Sequence, residues 1–348
     1  MAISFFSDED LDSLAIQRSV FHIVGPRREH FQLLEEFDAA PHASFFLGRI
    51  GSINNGNRYS FLSDAAVRTQ LARIDDDLAA FQEESEKLAD AFDQGHRGGS
   101  AIGAFMLLAL GCRTGRAFAL LKFEDEKVLS YAFRAGSSGR PKPTLGEIKQ
   151  TFVQNRNALQ KAALIRLRPG ADEISVIDRQ NPQRPAAYFE QFLGARRQRS
   201  ETELTKKLID VTKQIVLQHK DDLPPDTVRT LSKRLFDASQ LGASVDGEHT
   251  DDWFRSIVGP LPEDSPALKA FRSRLKREGM AGESFVLEKS AVSAPRNRRV
   301  ETASGVRIVF PIGLQDSVVS VDRVKGEITI KDQITIDDVD LETNNRAR

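Results

Sequence analysis

Between Ser63 and Gly95 the apolar positions Val67, Leu71, Ile74, Leu78, Phe81, Leu88 and Phe92 recur at alternating spacings of four and three, with Ser85 the one interruption. That period aligns them on one face of a helix, with Ser63 placed as N-cap and Gly95 as stop. The stripe suits a dimerising coiled coil or a helix laid over a sheet of its own domain. Acids crowd the opposite face, which favours the covering helix.

After Gly95 the pattern changes to strand-like runs. Residues 101–110 and 117–123 flank Gly-Cys-Arg-Thr-Gly-Arg, whose glycines predict a hairpin turn. Residues 128–133 predict a third strand, and Ala135 to Thr144, rich in Gly, Ser and Pro, a loop. Residues 162–167 and 173–178 form a second hairpin pattern. From Ala186 the period becomes helical, predicting helices over 188–195, 200–219, 226–241, 250–258 and 266–278, with Pro224 and Pro225 barring continuation of the second. Short strands are expected at 284–288, 306–310, 317–321 and 327–331. The reading is an α+β protein: a mixed N-terminal sheet with a long covering helix in residues 1–183, then a helical segment closed by a small β unit in 184–337. Residues 338–348 read as a disordered tail.

The chain has 348 residues, 40% apolar and 28% charged, which is enough for a core. Its longest apolar run is far short of the ~20 residues that cross a bilayer as a helix. Acids stand where a signal peptide would carry its positive region, so a cytoplasmic protein is expected. The single cysteine, Cys112, excludes an intrachain disulfide.

Charge changes the picture more than composition does, because a formal net charge of -1 conceals segregation. Arg134 to Gly170 carries eight cations against Glu147 alone, and Lys269 to Arg299 carries nine against three acids. The first hundred residues reverse this, with seventeen acids against nine cations. A polyanion answers to the local potential of the face it meets, so these blocks outweigh the total. Arg predominates in them, and its planar fork suits phosphate oxygens. The candidate contacts to duplex DNA are Arg140, Lys142, Lys149, Arg156, Lys161, Arg166 and Arg168, with secondary groups at Arg196, Arg197 and Arg199, at Lys276 and Arg277, and at Arg296, Arg298 and Arg299. Two of these groups are expected in loops, around Arg140 and Arg296. Few aromatics interleave them, which favours duplex backbone over stacked single strands.

Catalytic chemistry finds little support. Gly-Cys-Arg-Thr-Gly-Arg lacks the Lys-Ser/Thr of a phosphate-binding loop, and the six histidines show no metal-ligand spacing. A metal-dependent nuclease would need two carboxylates and a lysine on neighbouring strands. Glu173 and Asp178 offer the acids, but no lysine-bearing partner strand is evident. No cofactor, metal site or catalytic residue is expected.

Several segments in fixed order resemble the bacterial 37-kilodalton nucleoid-associated proteins, over about residues 15–335. They are Ala-Ile-Gln-Arg-Ser-Val-Phe-His-Ile-Val-Gly from Ala15, the helix from Ser63, and Gly-Gly-Ser-Ala-Ile-Gly-Ala-Phe-Met-Leu-Leu-Ala-Leu before Gly111. The paired strands leading to Phe-Leu-Gly-Ala and the closing segment Gly305 to Asp332 complete the set. The resemblance implies non-enzymatic, largely sequence-independent DNA binding on the nucleoid, with topoisomerases or another protein as further partners. A more distant likeness is to the DNA-binding B subunit of the Kiwa anti-phage defence system. The alternatives are a defence accessory protein and a protein-interaction module, and a homodimer is left open.

Overall fold

The apolar run that begins near Ala101 becomes a strand covered on both faces, and this sets the layering of everything before residue 200. The computed structural model describes residues 4–96, 101–124, 128–135, 141–148, 158–322 and 324–335. Its elements begin with α1 (Asp8–Asp12), β1 (Ala15–Val24), α2 (Ala43–Ser52), β2 (Asn57–Phe61), α3 (Ala66–Asp76) and α4 (Phe81–His96). Strands β3 (Gly103–Cys112), β4 (Gly115–Glu124), β5 (Val128–Ala135), β6 (Pro141–Ile148), β7 (Leu159–Arg166) and β8 (Glu173–Asp178) follow. Then come α5 (Ala187–Leu193), β9 (Ala195–Arg197), α6 (Glu201–Gln218), α7 (Pro225–Gln240), β10 (Ser244–Val245), α8 (Thr250–Val258), α9 (Pro266–Arg277) and β11 (Phe285–Val286). Four strands close the order: β12 (Asn297–Glu301), β13 (Arg307–Pro311), β14 (Val319–Asp322) and β15 (Glu327–Ile330).

The fold is α+β. Seven strands form one sheet in the order β1-β3-β4-β7-β8-β2-β9. The sheet expected as mixed is antiparallel at every one of these pairings. Along β3, Phe105, Leu107 and Ala109 enter a core shared with α3, α4 and α5. The alternate residues Ala104, Met106, Leu108 and Leu110 enter a second core with Phe5, Phe6 and α2. A strand buried on both faces has no polar side to alternate with, hence its continuous apolar sequence.

The long helix expected from Ser63 is two helices. Asp77 adopts an extended conformation (φ -144°, ψ 109°) and its carboxylate accepts from Ala79 N at 2.9 Å, starting a 3-10 turn that leads into α4. Asp75, Asp76 and Asp77 crowd the carboxyl end of α3, where the helix dipole disfavours negative charge, and Asp is a preferred cap for the next start. The interruption of the apolar stripe at Ser85 also has a cause. Ser85 Oγ lies 3.2 Å from Nε2 of His22, which is fully buried, and donates to Gln82 O at 2.6 Å. Leu34 N–H donates to His22 Nδ1 at 3.1 Å, so the proton of the neutral ring sits on Nε2.

Beside β4 lies β7, in register from Phe118↔Ile165 to Lys122↔Lys161. Strand β5 pairs with β6, so part of the expected Ala135–Thr144 loop is strand. Gly194 ends α5 at φ 60°, and a Cβ there would stand 2.9 Å from Ala65 Cβ, so the position demands glycine on both counts. Ser200 and Glu203 form a capping box that starts α6. Helices α6 to α9 bury a third core around Leu208, Leu235, Trp253, Phe254 and Phe271.

The chain divides into two compact units, Met1–Val292 and Ser293–Arg348. The second carries the hairpins β12–β13 and β14–β15. Arg298 and Arg299, expected in a loop, lie in β12. Among the described residues no helix is long and apolar enough to cross a membrane.

Burial pushes the His22 pKa down to about 4 from 6.5. The unfolded chain therefore takes up this proton first as pH falls. The contribution of the neutral ring is complete above pH 6.5 and is lost toward pH 4, at a cost of up to about 3 kcal/mol. Urea denaturation between pH 7 and 4.5 should show a shallower loss of stability in His22→Gln than in the wild type; parallel curves would contradict it.

Candidate nucleic-acid interface

The expected cations fall into distinct environments, and burial separates them. Lys161 on β7 is 2% exposed and its Nζ lies 2.7 Å from Asp178 Oδ2 on β8. Asp178 also accepts from the amides of Gln180, Asn181 and Ala186 at 3.0, 3.2 and 2.9 Å. The lysine-bearing strand thought to be lacking beside Asp178 thus exists, but both oxygens of that carboxylate are already engaged. Glu173 is likewise held by Arg166 and Arg168. Among the described residues no group of three or more His, Cys, Asp or Glu is placed to hold a metal.

Arg197 also faces inward. From the edge strand β9 its Nη2 donates to Asn57 Oδ1, Glu283 Oε2 and Ser284 O at 2.9, 2.7 and 2.7 Å, and its Nη1 to Gln183 O at 3.0 Å. Glu283 is 1% exposed. This side chain joins the sheet to the chain that follows α9, and its Nη1 and Nη2 are engaged in those four hydrogen bonds. Sequence alone could not separate it from its neighbour Arg196, which is exposed.

Arg166, Arg168, Arg199, Lys276 and Arg277 are brought together. They line one cleft of about 810 Å³, whose walls are the segment Ser4–Asp10, the turn between β7 and β8, residues 198–199, and the carboxyl end of α9. Arg58 of β2 also lines it, a residue from the acidic first hundred that charge patterning gave no reason to single out. Burial lowers the Arg58 pKa from its ordinary value.

Five carboxylates line the same cleft, and the pairing decides its sign. Asp10 is held by Arg166 at 3.2 Å and Glu173 by Arg166 at 3.0 Å. Asp172 pairs with Arg68 at 2.6 Å, and Glu278 with Lys207 at 2.9 Å and Arg274 at 3.1 Å. Burial alone would raise the Asp10 carboxyl, but hydrogen bonds from Thr114 and the Arg166 charge outweigh it and hold the pKa below its ordinary value. The hydrogen bond from Lys207 lowers that of Glu278. Only Asp8 has no cation partner among the described residues. Against it stand Lys276 and Arg277, exposed and without an ion-pair partner among the described residues. Arg199 is half-buried and donates to Gly279 O at 2.9 Å. Arg168 is exposed and shares Glu173 at 3.4 Å. The cleft edge thus carries positive charge that its own acids do not neutralise, and this is the condition for attracting an anion.

Of the remaining positions in the first unit, Arg196 is not among the described residues that line this cleft. Arg196 is exposed on β9, opposite Ser60. Arg296, Arg298 and Arg299 belong to the second unit, where Arg299 pairs with Glu301. Lys142 lies in β6, and Arg140, Lys149 and Arg156 lie outside the described residues, as does the tail after Asp337.

The model of the family described as nucleoid-associated protein YejK matches residues 21–337. The chain belongs to that family. No curated protein sequence matches it. Membership in this nucleoid-associated family supports a DNA-binding role.

The two classes of cation should separate in denaturation experiments. Lys161→Ala and Arg197→Ala each leave a buried carboxylate without its partner and should cost about 3–5 kcal/mol. Lys276→Ala and Arg277→Ala should stay within about 0.5 kcal/mol of wild type. Equal losses in both sets would remove the distinction.

Proposed function

We propose that the protein binds DNA without catalysis and largely without regard to sequence, through phosphate contacts made by Arg168, Arg199, Lys276 and Arg277 at the cleft edge. The observation that supports this most directly is convergence. Residues from the first basic block, from the strand-to-helix connection before α6, and from the end of α9 line one cleft in a member of a nucleoid-associated family. All four side chains are Lys or Arg, suited to phosphate oxygens, and no exposed aromatic accompanies them that would read or stack bases. The nucleoid is the compartment where such a protein meets its ligand. Arg140, Lys142, Lys149 and Arg156 of the first basic block and Arg196, Arg296, Arg298 and Arg299 extend the proposed contact set. Lys161, Arg166 and Arg197 leave it, because their donors serve the fold.

Gel shifts on random-sequence duplex across a salt series test this reading. Binding should weaken steeply as salt rises, and Lys276→Ala with Arg277→Ala should reduce affinity equally on unrelated sequences. The slope of log K against log salt should fall by about 0.9 for each phosphate contact removed. Binding indifferent to salt, or a loss confined to one sequence, would contradict phosphate recognition.

A further inference from the structure

We propose that the cleft receives a DNA end carrying a terminal phosphate, in preference to the side of an uninterrupted duplex. This rests on the reading of the cleft as a DNA site and specifies what part of the DNA it takes.

Shape is the first argument. The cationic groups stand around a concavity of about 810 Å³. That volume lies in the range of pockets that enclose a small ligand. A strand terminus can place its phosphate within a concavity of that size, whereas an uninterrupted duplex presents its phosphates along an extended outer surface.

Charge is the second argument. A terminal phosphomonoester carries about -1.5 to -2 charges at neutral pH and three acceptor oxygens. An internal phosphodiester carries a single charge. Arg199, Lys276 and Arg277 supply donors from two separate elements, and Lys276 and Arg277 have no carboxylate to satisfy first. Concentrating unpaired cations on a concave surface rewards the more highly charged and more exposed of the two phosphate types.

Among the described residues the cleft offers no exposed aromatic ring. Phe5 and Phe6 are its aromatic lining residues, and they are 4% and 0% exposed. Their rings lie beneath the Arg166 guanidinium, at 5.0 and 5.3 Å, as part of the core. No ring is offered for base stacking, so a single strand entering here is recognised by its phosphate and not by its bases.

The test uses the full chain and three DNAs of one sequence: a blunt duplex with 5′-phosphates, the same duplex with 5′-hydroxyls, and a covalently closed circle. Fluorescence anisotropy at fixed salt should give affinities in that order, with the phosphorylated end bound roughly tenfold more tightly than the hydroxyl end, as expected for added charge-assisted hydrogen bonds. Lys276→Ala combined with Arg277→Ala should bring that ratio close to one. A nucleoside 5′-monophosphate should compete poorly at concentrations where the phosphorylated duplex competes fully. Equal, salt-sensitive affinity for all three DNAs would overturn the preference for ends while leaving sequence-independent binding intact. Complete displacement by the mononucleotide at the concentration of the duplex would assign the site to free nucleotides and overturn the proposal. Failure to bind any of the three would remove the DNA reading itself.

Discussion

Arg197 pairs with Glu283 across the seam between the sheet and the chain that follows α9, and residues next to that seam, Gln198, Arg199 and the end of α9, line the cleft. Strand β9 is three residues long, so backbone pairing with β2 alone gives that seam little strength. The guanidinium reaches over it to two side-chain and two backbone acceptors, drawn from β2, from Gln183 and from the chain after α9. Close backbone approach accompanies it. A Cβ on Gly282, where φ is +85°, would stand 2.7 Å from Asn55 Cβ and 2.9 Å from Gly56 N, so the two segments meet at a distance that only glycine allows. A buried ion pair adds little net stability over an apolar alternative, but losing one partner strands a charge in a poor solvent. Beside this pair, Arg199 and the end of α9 line one cleft with the turn between β7 and β8.

The same physics sorts the cations of the basic blocks. Arg166 lies at the end of a strand buried on both faces, where Asp10, Glu173 and the rings of Phe5 and Phe6 surround its guanidinium. Two residues on, past the end of β7, Arg168 is exposed. At the end of α9 the last-turn cations Arg274, Lys276 and Arg277 face the negative pole of the helix dipole, a favourable place for positive charge that needs no carboxylate. Arg274 nevertheless pairs with Glu278, and the other two do not. Position within an element, more than membership of a charge block, decides whether a cation serves the fold or remains available to an anion.

Much of the architecture was legible because hydrophobic period reports burial directly. The helices at 250–258 and 266–278, the hairpin around Gly115 and the helix beginning at Ser200 follow from local patterns that tertiary packing did not override. The break at Asp77 was written in three successive acids, a signal weaker than the heptad stripe that ran through it. The candidate site was less legible, because a run of Lys and Arg along a strand alternates between interior and surface without changing composition. Lys161 and Arg166 read as surface cations only if their acidic partners are ignored. Asp178 stands directly opposite Lys161, and Glu173 opposite Arg166, in the register of β7 and β8. Knowing that pairing would have removed both from a list of phosphate contacts. Arg58 gave no signal at all.

A nearly neutral chain can present a positive face because its acids are spent unevenly. In the cleft four of five carboxylates are matched by Arg166, Arg168, Arg68, Lys207 and Arg274, so the cations left over are those at the edge. The acids do not cancel the field so much as fix where it emerges: each pair anchors a wall, and the unpaired Lys276 and Arg277 inherit the solvent-facing positions. Screening at physiological salt shortens the reach of such a field to about 8 Å. A phosphate must therefore come within contact distance of these few groups to feel them. An extended basic face would capture a duplex along its length, but a short-range field at a concave edge acts on whatever part of a polyanion can be brought into it.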